Sequence, residues 1–143
     1  MTMKVKDLMT EYPVLIGPGA TLREAALAMR NIDCGFLPVG TKDQLVGVIT
    51  DRDIIIRAIS QGKLPSEARI ETYMSTKVCC CNEDDELEDA ALKMHDHKVS
   101  RLVVKDHTGK VTGVLSFGGI LRRNVPAKEV VAVVKEAASH LNF

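Results

Sequence analysis

An α/β (α+β) fold built from two copies of one small unit is what this 143-residue sequence predicts. The evidence is a segment recurring at fixed spacing, strand-length apolar runs alternating with helical stripes, and a composition suited to an aliphatic core. Leu22-Arg23-Glu24-Ala25-Ala26-Leu27-Ala28-Met29 aligns with Leu87-Glu88-Asp89-Ala90-Ala91-Leu92-Lys93-Met94, an offset of 65 (87 − 22). The same offset sets Val5, Leu8 and Met9 against Ile70, Tyr73 and Met74, and Leu37 and Val39 against Leu102 and Val104. Gly47-Val48-Ile49-Thr50 matches Gly113-Val114-Leu115-Ser116 at an offset of 66 (113 − 47). The extra residue falls in the turn at 105–110, where an insertion costs little. Order preserved over several segments marks a tandem duplication.

Each copy reads as β-α-β-β-α. Val14-Leu15-Ile16, bounded by Pro13 and Gly17-Pro18-Gly19, is expected to be a short buried strand. Thr21-Leu22-Arg23-Glu24 is a capping-box signature opening a helix, whose apolar face is Leu22, Ala25, Ala26 and Met29. Phe36-Leu37-Pro38-Val39 and Leu45-Val46-Gly47-Val48-Ile49 are two strands joined by a polar turn. A second helix begins near Asp51, carries Ile54-Ile55-Ile56 and ends at about Ser60, before the breaker Gly62-Lys63-Leu64-Pro65-Ser66. The copies span residues 4–61 and 69–124. A unit this small leaves one sheet face uncovered, so the copies are expected to pack on each other with pseudo-two-fold symmetry. Pro126 then opens an amphipathic C-terminal helix, 126–143, with Val130, Val131, Val134, Ala137, Ala138 and Leu141 along one side.

Hydrophobic residues make up 45% and charged residues 27%, a globular balance, with only 3% aromatic. Nineteen basic and nineteen acidic side chains cancel, which argues against nucleic-acid binding. The N-terminus lacks the apolar run of a secretory signal, and no aliphatic stretch is long enough to span a bilayer. The expectation is a cytoplasmic chain with reduced cysteines and no membrane contact.

The repeat resembles the cystathionine β-synthase (CBS) domain, and the tandem resembles the two-copy Bateman module. The match is carried by Val5-x-x-Leu8-Met9-Thr10, Val14-x-Ile16, the helix from Leu22 to Met29, Phe36-Leu37-Pro38-Val39 and Gly47-Val48-Ile49-Thr50-Asp51-Arg52-Asp53-Ile54. The second copy repeats it with Ile70-x-x-Tyr73-Met74-Ser75, Arg101-Leu102-Val103-Val104 and Gly113-Val114-Leu115-Ser116. The resemblance implies a regulatory module with no obligatory cofactor. Its ligand would be an adenosine compound (AMP, ADP or ATP, with S-adenosylmethionine or NAD also open) in clefts between the copies. It also implies a homodimer and a regulated partner protein.

The segment bearing chemistry is Thr50-Asp51-Arg52-Asp53, at a strand-to-helix turn expected to offer free backbone N–H groups to a phosphate. By spacing alone, Thr50 and Asp53 read as a helix cap. By the resemblance, Asp53 accepts hydrogen bonds from two ribose hydroxyls, a role the cap partly allows. The Thr50 hydroxyl can reach a phosphate or ribose oxygen, and Arg52 either meets phosphate or points to solvent. Val14, Ile16 and Pro38 would form an apolar slot for the base. Across the expected symmetry axis, Lys98 and Arg101 are candidates for phosphate, against the alternative of solvated surface charges. In the second copy Ser116 keeps the hydroxyl, but Gly119 replaces the carboxylate, which implies one well-occupied site per chain.

Cys79-Cys80-Cys81 aligns with Val14, Leu15 and Ile16, a strand slot in which thiols act as small hydrophobes and not as a metal site. His95, His97 and His107 show no metal-ligand spacing. No phosphate-cradling loop or nucleophile motif is present, so no enzyme is expected. The alternative function is a structural or dimerisation module without a nucleotide.

Overall fold

The structure, a computed structural model, describes residues 3–123 and 126–137. Helix α1 (Val5–Leu8) and strand β1 (Thr10–Glu11) lead into α2 (Leu22–Ile32), β2 (Phe36–Gly40) and β3 (Leu45–Thr50). A π-helical segment (Asp53–Ala58) and a 3-10 turn (Ile59–Gln61) follow. The second copy repeats the plan with α3 (Ile70–Tyr73), β4 (Cys80–Asn82), α4 (Leu87–His97), β5 (Arg101–Lys105), β6 (Val111–Ser116) and α5 (Phe117–Arg122). Helix α6 (Ala127–Ala137) comes last.

The chain divides into two compact units, and these are not the two sequence copies. Pro13–Val78 form one, which we call the first-copy unit. The residues up to Tyr12 join Cys79 and those beyond it in the other, the second-copy unit. In the first-copy unit, Thr21 caps α2 by accepting the Glu24 N–H at 3.1 Å, and Asp33 ends it in the left-handed region. Leu22, Ala25 and Met29 then face Leu37, Val39 and Ile49 in one aliphatic core. The second-copy unit carries a four-stranded sheet in the order β1-β6-β5-β4, with β4 parallel to β5 and the other pairs antiparallel. Its core gathers Leu87, Ala90, Met94, Leu102, Val104 and Leu115.

The units are completed by a reciprocal exchange of leading segments. The Val5 N–H donates to Asp85 O, and the Leu87 N–H to Met3 O, each at 2.9 Å. At matching places, Ile70 donates to Ala20 O, and Leu22 to Ala68 O, again at 2.9 Å. A four-residue helix cannot bury Val5 and Leu8 by itself, and each long helix begins with unpaired backbone donors. Exchange satisfies both needs. The Lys6 ammonium, 3.0 Å from the Asp84 carboxylate, ties α1 to its host on the exposed side. That contact raises the lysine pKa and lowers the aspartate's.

The exchanged segments also explain two glycines. Thr10 pairs with Val114 on β6, and Ser75 bridges Val48 on β3. A Cβ on Gly113 would lie 2.8 Å from Thr10 O, and one on Gly47 would lie 2.7 Å from Ser75 O. Gly113→Ala is therefore expected to destabilise the second-copy unit by about 1–3 kcal/mol through backbone displacement. Urea unfolding checks this, and an unchanged midpoint would contradict the close approach.

Two sequence expectations need correcting. Val14–Ile16 is no full strand: only Ile16 bridges, its N–H donating to Pro38 O at 3.2 Å and its carbonyl accepting from Gly40 N–H at 2.9 Å. Val14 is 40% exposed. The cause is Pro38. In the other unit Val103 N–H donates to Cys79 O at 3.0 Å, and Pro38, the residue aligned with Val103, has no N–H to offer Val14. The C-terminal helix keeps Val130 of the expected stripe at the core but turns Val131 and Val134 outward. Val133 is fully buried, with Glu129 buried and Val130 packed beside it, while Val131 is 65% and Val134 40% exposed. The helix turns this neighbouring stripe toward α4. Ala138 and Leu141 lie outside the described residues.

Candidate functional site

Six of the candidate residues fall within the first-copy unit: Val14, Ile16, Pro38, Thr50, Arg52 and Asp53. Thr50 ends β3 opposite Phe36, and the chain turns there into the π-helical segment. Thr50 N–H donates to Asp53 Oδ2 at 3.1 Å, and Thr50 Oγ1 accepts Asp53 N–H at 3.1 Å. This is a reciprocal cap, so the capping arrangement is present in the chain. Each Asp53 oxygen still has lone-pair capacity, because Oδ2 receives one N–H and Oδ1, among the described residues, is ion-paired with Arg57, whose Nε is 3.6 Å away. Asp53 itself is mostly buried, its side chain 14% exposed.

The expectation of free backbone N–H groups at this turn is not met. Thr50 and Asp53 bond each other, Asp51 N–H donates to Gly35 O at 3.0 Å, and Arg52 N–H donates to Asp51 Oδ1 at 2.8 Å. Short polar side chains at the turn use the donors locally. A Cβ on Gly35 would fall 2.2 Å from Asp51 Oδ2, so a larger residue there would displace the exposed Asp51 side chain. The Arg52 side chain is exposed, and Pro38 is buried in β2 between Leu37 and Val39. With no Pro38 N–H, the Val14 carbonyl lacks the ladder bond that its counterpart Cys79 makes.

Lys98, Arg101 and Ser116 belong to the second-copy unit. Arg101 and Ser116 are direct partners across β5 and β6. Lys98 is exposed at the left-handed end of α4, φ +55°. Ser116 Oγ caps α5 by accepting Gly119 N–H at 2.9 Å. That unit therefore repeats half of the cap and has no carboxylate.

Sequence reasoning missed Arg57. Its signal was present as an acid and a base four residues apart on one helical segment. The guanidinium pairs with Asp53 and also donates through Nη1 to Tyr73 O at 3.2 Å.

The cysteines follow their strand positions. Cys81 is buried and Cys79 packs at the core edge. Burial pushes the Cys81 thiol up to about 12 and raises that of Cys80, which keeps both protonated at neutral pH. Among the described residues, no three His, Cys, Asp or Glu side chains are grouped so as to hold a metal ion. No helix among them is long and apolar enough to cross a membrane.

The sequence profile of the CBS domain matches this chain twice, over residues 5–59 and 70–126. The CBS domain-containing protein YhcV of Bacillus subtilis is 34% identical over 139 residues, 97% of each chain. The CBS domain pair of protein MJ0100, solved with 5-methylthioadenosine and S-adenosyl-L-methionine, superposes with a TM-score of 0.76 at 28% identity. That match covers 85% of this chain and 95% of the other. Hypoxic Response Protein I, solved with two coordinated zinc ions, gives a TM-score of 0.75 at 28% identity, over 87% of this chain and all of the other. A relative named Hypoxic response protein 1, from Mycobacterium tuberculosis, is 29% identical over 136 residues.

Proposed function

The chain belongs to the CBS-domain family as a tandem pair, and from that premise we propose that it is a non-catalytic regulatory module whose first copy binds an adenosine ligand of the AMP, ADP or ATP class. The carrying observation is the Asp53 carboxylate, held on Thr50 with acceptor capacity left on both oxygens. Two cis hydroxyls of a ribose match that pair of acceptors. The Val14 carbonyl supports the reading, because an acceptor left open by Pro38 suits the 6-amino group of adenine. In the second copy both features are missing: Val103 N–H occupies the Cys79 carbonyl, and Gly119 stands where the carboxylate would be. One strong site per chain follows. With the turn's N–H groups used internally, Arg52 is the side chain there that would meet a phosphate.

Binding that favours one arrangement of the chain over another would alter how a regulated protein reads it. A homodimer is the second reading, and it rests on Ile55, Ile56 and Ile59, which are 55%, 51% and 42% exposed along one segment.

A thermal-shift panel of AMP, ADP, ATP, S-adenosylmethionine and NAD, with IMP as the 6-oxo control, tests both readings when sedimentation is run alongside. Ligand at about 100 times its Kd is expected to stabilise the chain by about 2.7 kcal/mol. IMP is expected to do little. A dimer that no nucleotide stabilises would reject the binding reading and leave the structural one.

A further inference from the structure

We propose that Arg57 is a positioning residue for this site: it fixes the plane of the Asp53 carboxylate and links that carboxylate to helix α3. The inference rests on the nucleotide reading and adds to it a residue that touches no ligand. Two partners hold the Asp53 carboxylate from different sides. Thr50 N–H takes one lone pair on Oδ2, and Arg57 Nε lies 3.6 Å from Oδ1. With Oδ2 hydrogen-bonded and Oδ1 in an ion pair longer than a hydrogen bond, the carboxylate plane is biased, and acceptor positions on both oxygens are presented together. Presenting both at once is what recognition of a cis-diol requires.

The same guanidinium donates through Nη1 to the carbonyl of Tyr73, the last residue of α3. A planar, multiply donating group can hold two acceptors at once, which a lysine ammonium at the end of a flexible stem does less well. The π-helical turn also bears on this, because its wider i→i+5 winding is seen where Ile59 N–H reaches Ile54 O. It sets Arg57 beside both Asp53 and the end of α3. Hydroxyls arriving at Asp53 thus change the load on a group that also holds α3, the first element of the second sequence copy, which packs in the first-copy unit. The second copy supplies an internal control: Arg123 aligns with Arg57, but Gly119 gives it no carboxylate to hold.

Titration calorimetry with AMP and 2′-deoxy-AMP tests this on wild type, Arg57→Gln, Arg57→Lys and Arg123→Gln, each first checked by its melting curve. Wild type is expected to prefer AMP. Arg57→Gln is expected to bind AMP roughly tenfold more weakly and to lose most of its preference over the deoxy compound, as one charge-assisted contact is removed. Arg57→Lys should recover part of both, and Arg123→Gln should match wild type. Hydrogen exchange at residues 70–74 should slow on AMP addition in wild type and not in Arg57→Gln. If Arg57→Gln keeps wild-type affinity and preference, the positioning role is wrong while the nucleotide site stands. If wild type binds none of AMP, ADP and ATP, both are wrong.

Discussion

Asp53→Ala is expected to weaken adenosine-ligand binding by two to four orders of magnitude. Two hydroxyl bonds to a charged acceptor contribute about 1.5–3 kcal/mol each, and alanine removes both at once. The other partners proposed for the ligand, Val14, Ile16 and Pro38 for the base and the exposed Arg52 for phosphate, would offer no substitute for a carboxylate. The same change removes half of the cap with Thr50, which costs about 1 kcal/mol of stability. Melting alone would blend the two effects, so direct titration is the deciding measurement. Asp53→Asn separates them further. Its amide oxygen can still accept Thr50 N–H, but its NH2 replaces the second acceptor, so stability should largely return while affinity stays low. Wild-type affinity in Asp53→Ala would remove the ribose role and leave Thr50 and Asp53 as a cap alone.

Removing the residues up to Tyr12 is expected to unfold the second-copy unit and spare the copy to which those residues belong in sequence. Val5, Leu8 and Met9 are 0%, 7% and 8% exposed in a core shared with Leu87, Ala91, Leu102 and Ile120. Burying three such side chains is worth up to about 5–9 kcal/mol, which is comparable with the whole stability of an ordinary domain. The deletion also strips β1 from the edge of β6 and removes the bonds made by the Glu83 and Asp85 carbonyls and the Leu87 N–H to the leading segment. Hydrogen exchange read segment by segment locates the damage. Protection should collapse over β4, β5 and β6 and persist over β2 and β3. Collapse confined to residues 13–61 would mean that the leading segment serves its own copy.

Much of this architecture can be read from the chain directly. The offset of 65 finds both long helices because Thr21 with Glu24, and the apolar positions Leu22, Ala25 and Met29, encode cap and face locally. β2, β3, β5 and β6 are equally legible as apolar runs between turns. The exchange is not legible. Alignment pairs Val5 with Ile70 whichever unit each completes, so periodicity is blind to the choice. The shortened strand at Val14 was hidden for a related reason: its apolar run reads as a strand, and the missing donor sits 24 residues away at Pro38. At the candidate site the residue types were readable, but the use of the turn's N–H groups by Asp51 and Asp53 depended on rotamers. For α6 the stripe had two neighbouring solutions, and packing against α4 selected Val130 and Val133.

The reciprocal exchange has a consequence for the integrity of the chain. A single cut at residues 62–66 yields two fragments, each holding α1 or α3 for one unit and the long helix of the other. Neither fragment contains a complete unit, so neither can fold unaided. Such a break turns a unimolecular fold into a bimolecular one, held only while fragment concentration exceeds the dissociation constant. By the same token, moving one sequence copy elsewhere would carry part of each unit and complete neither.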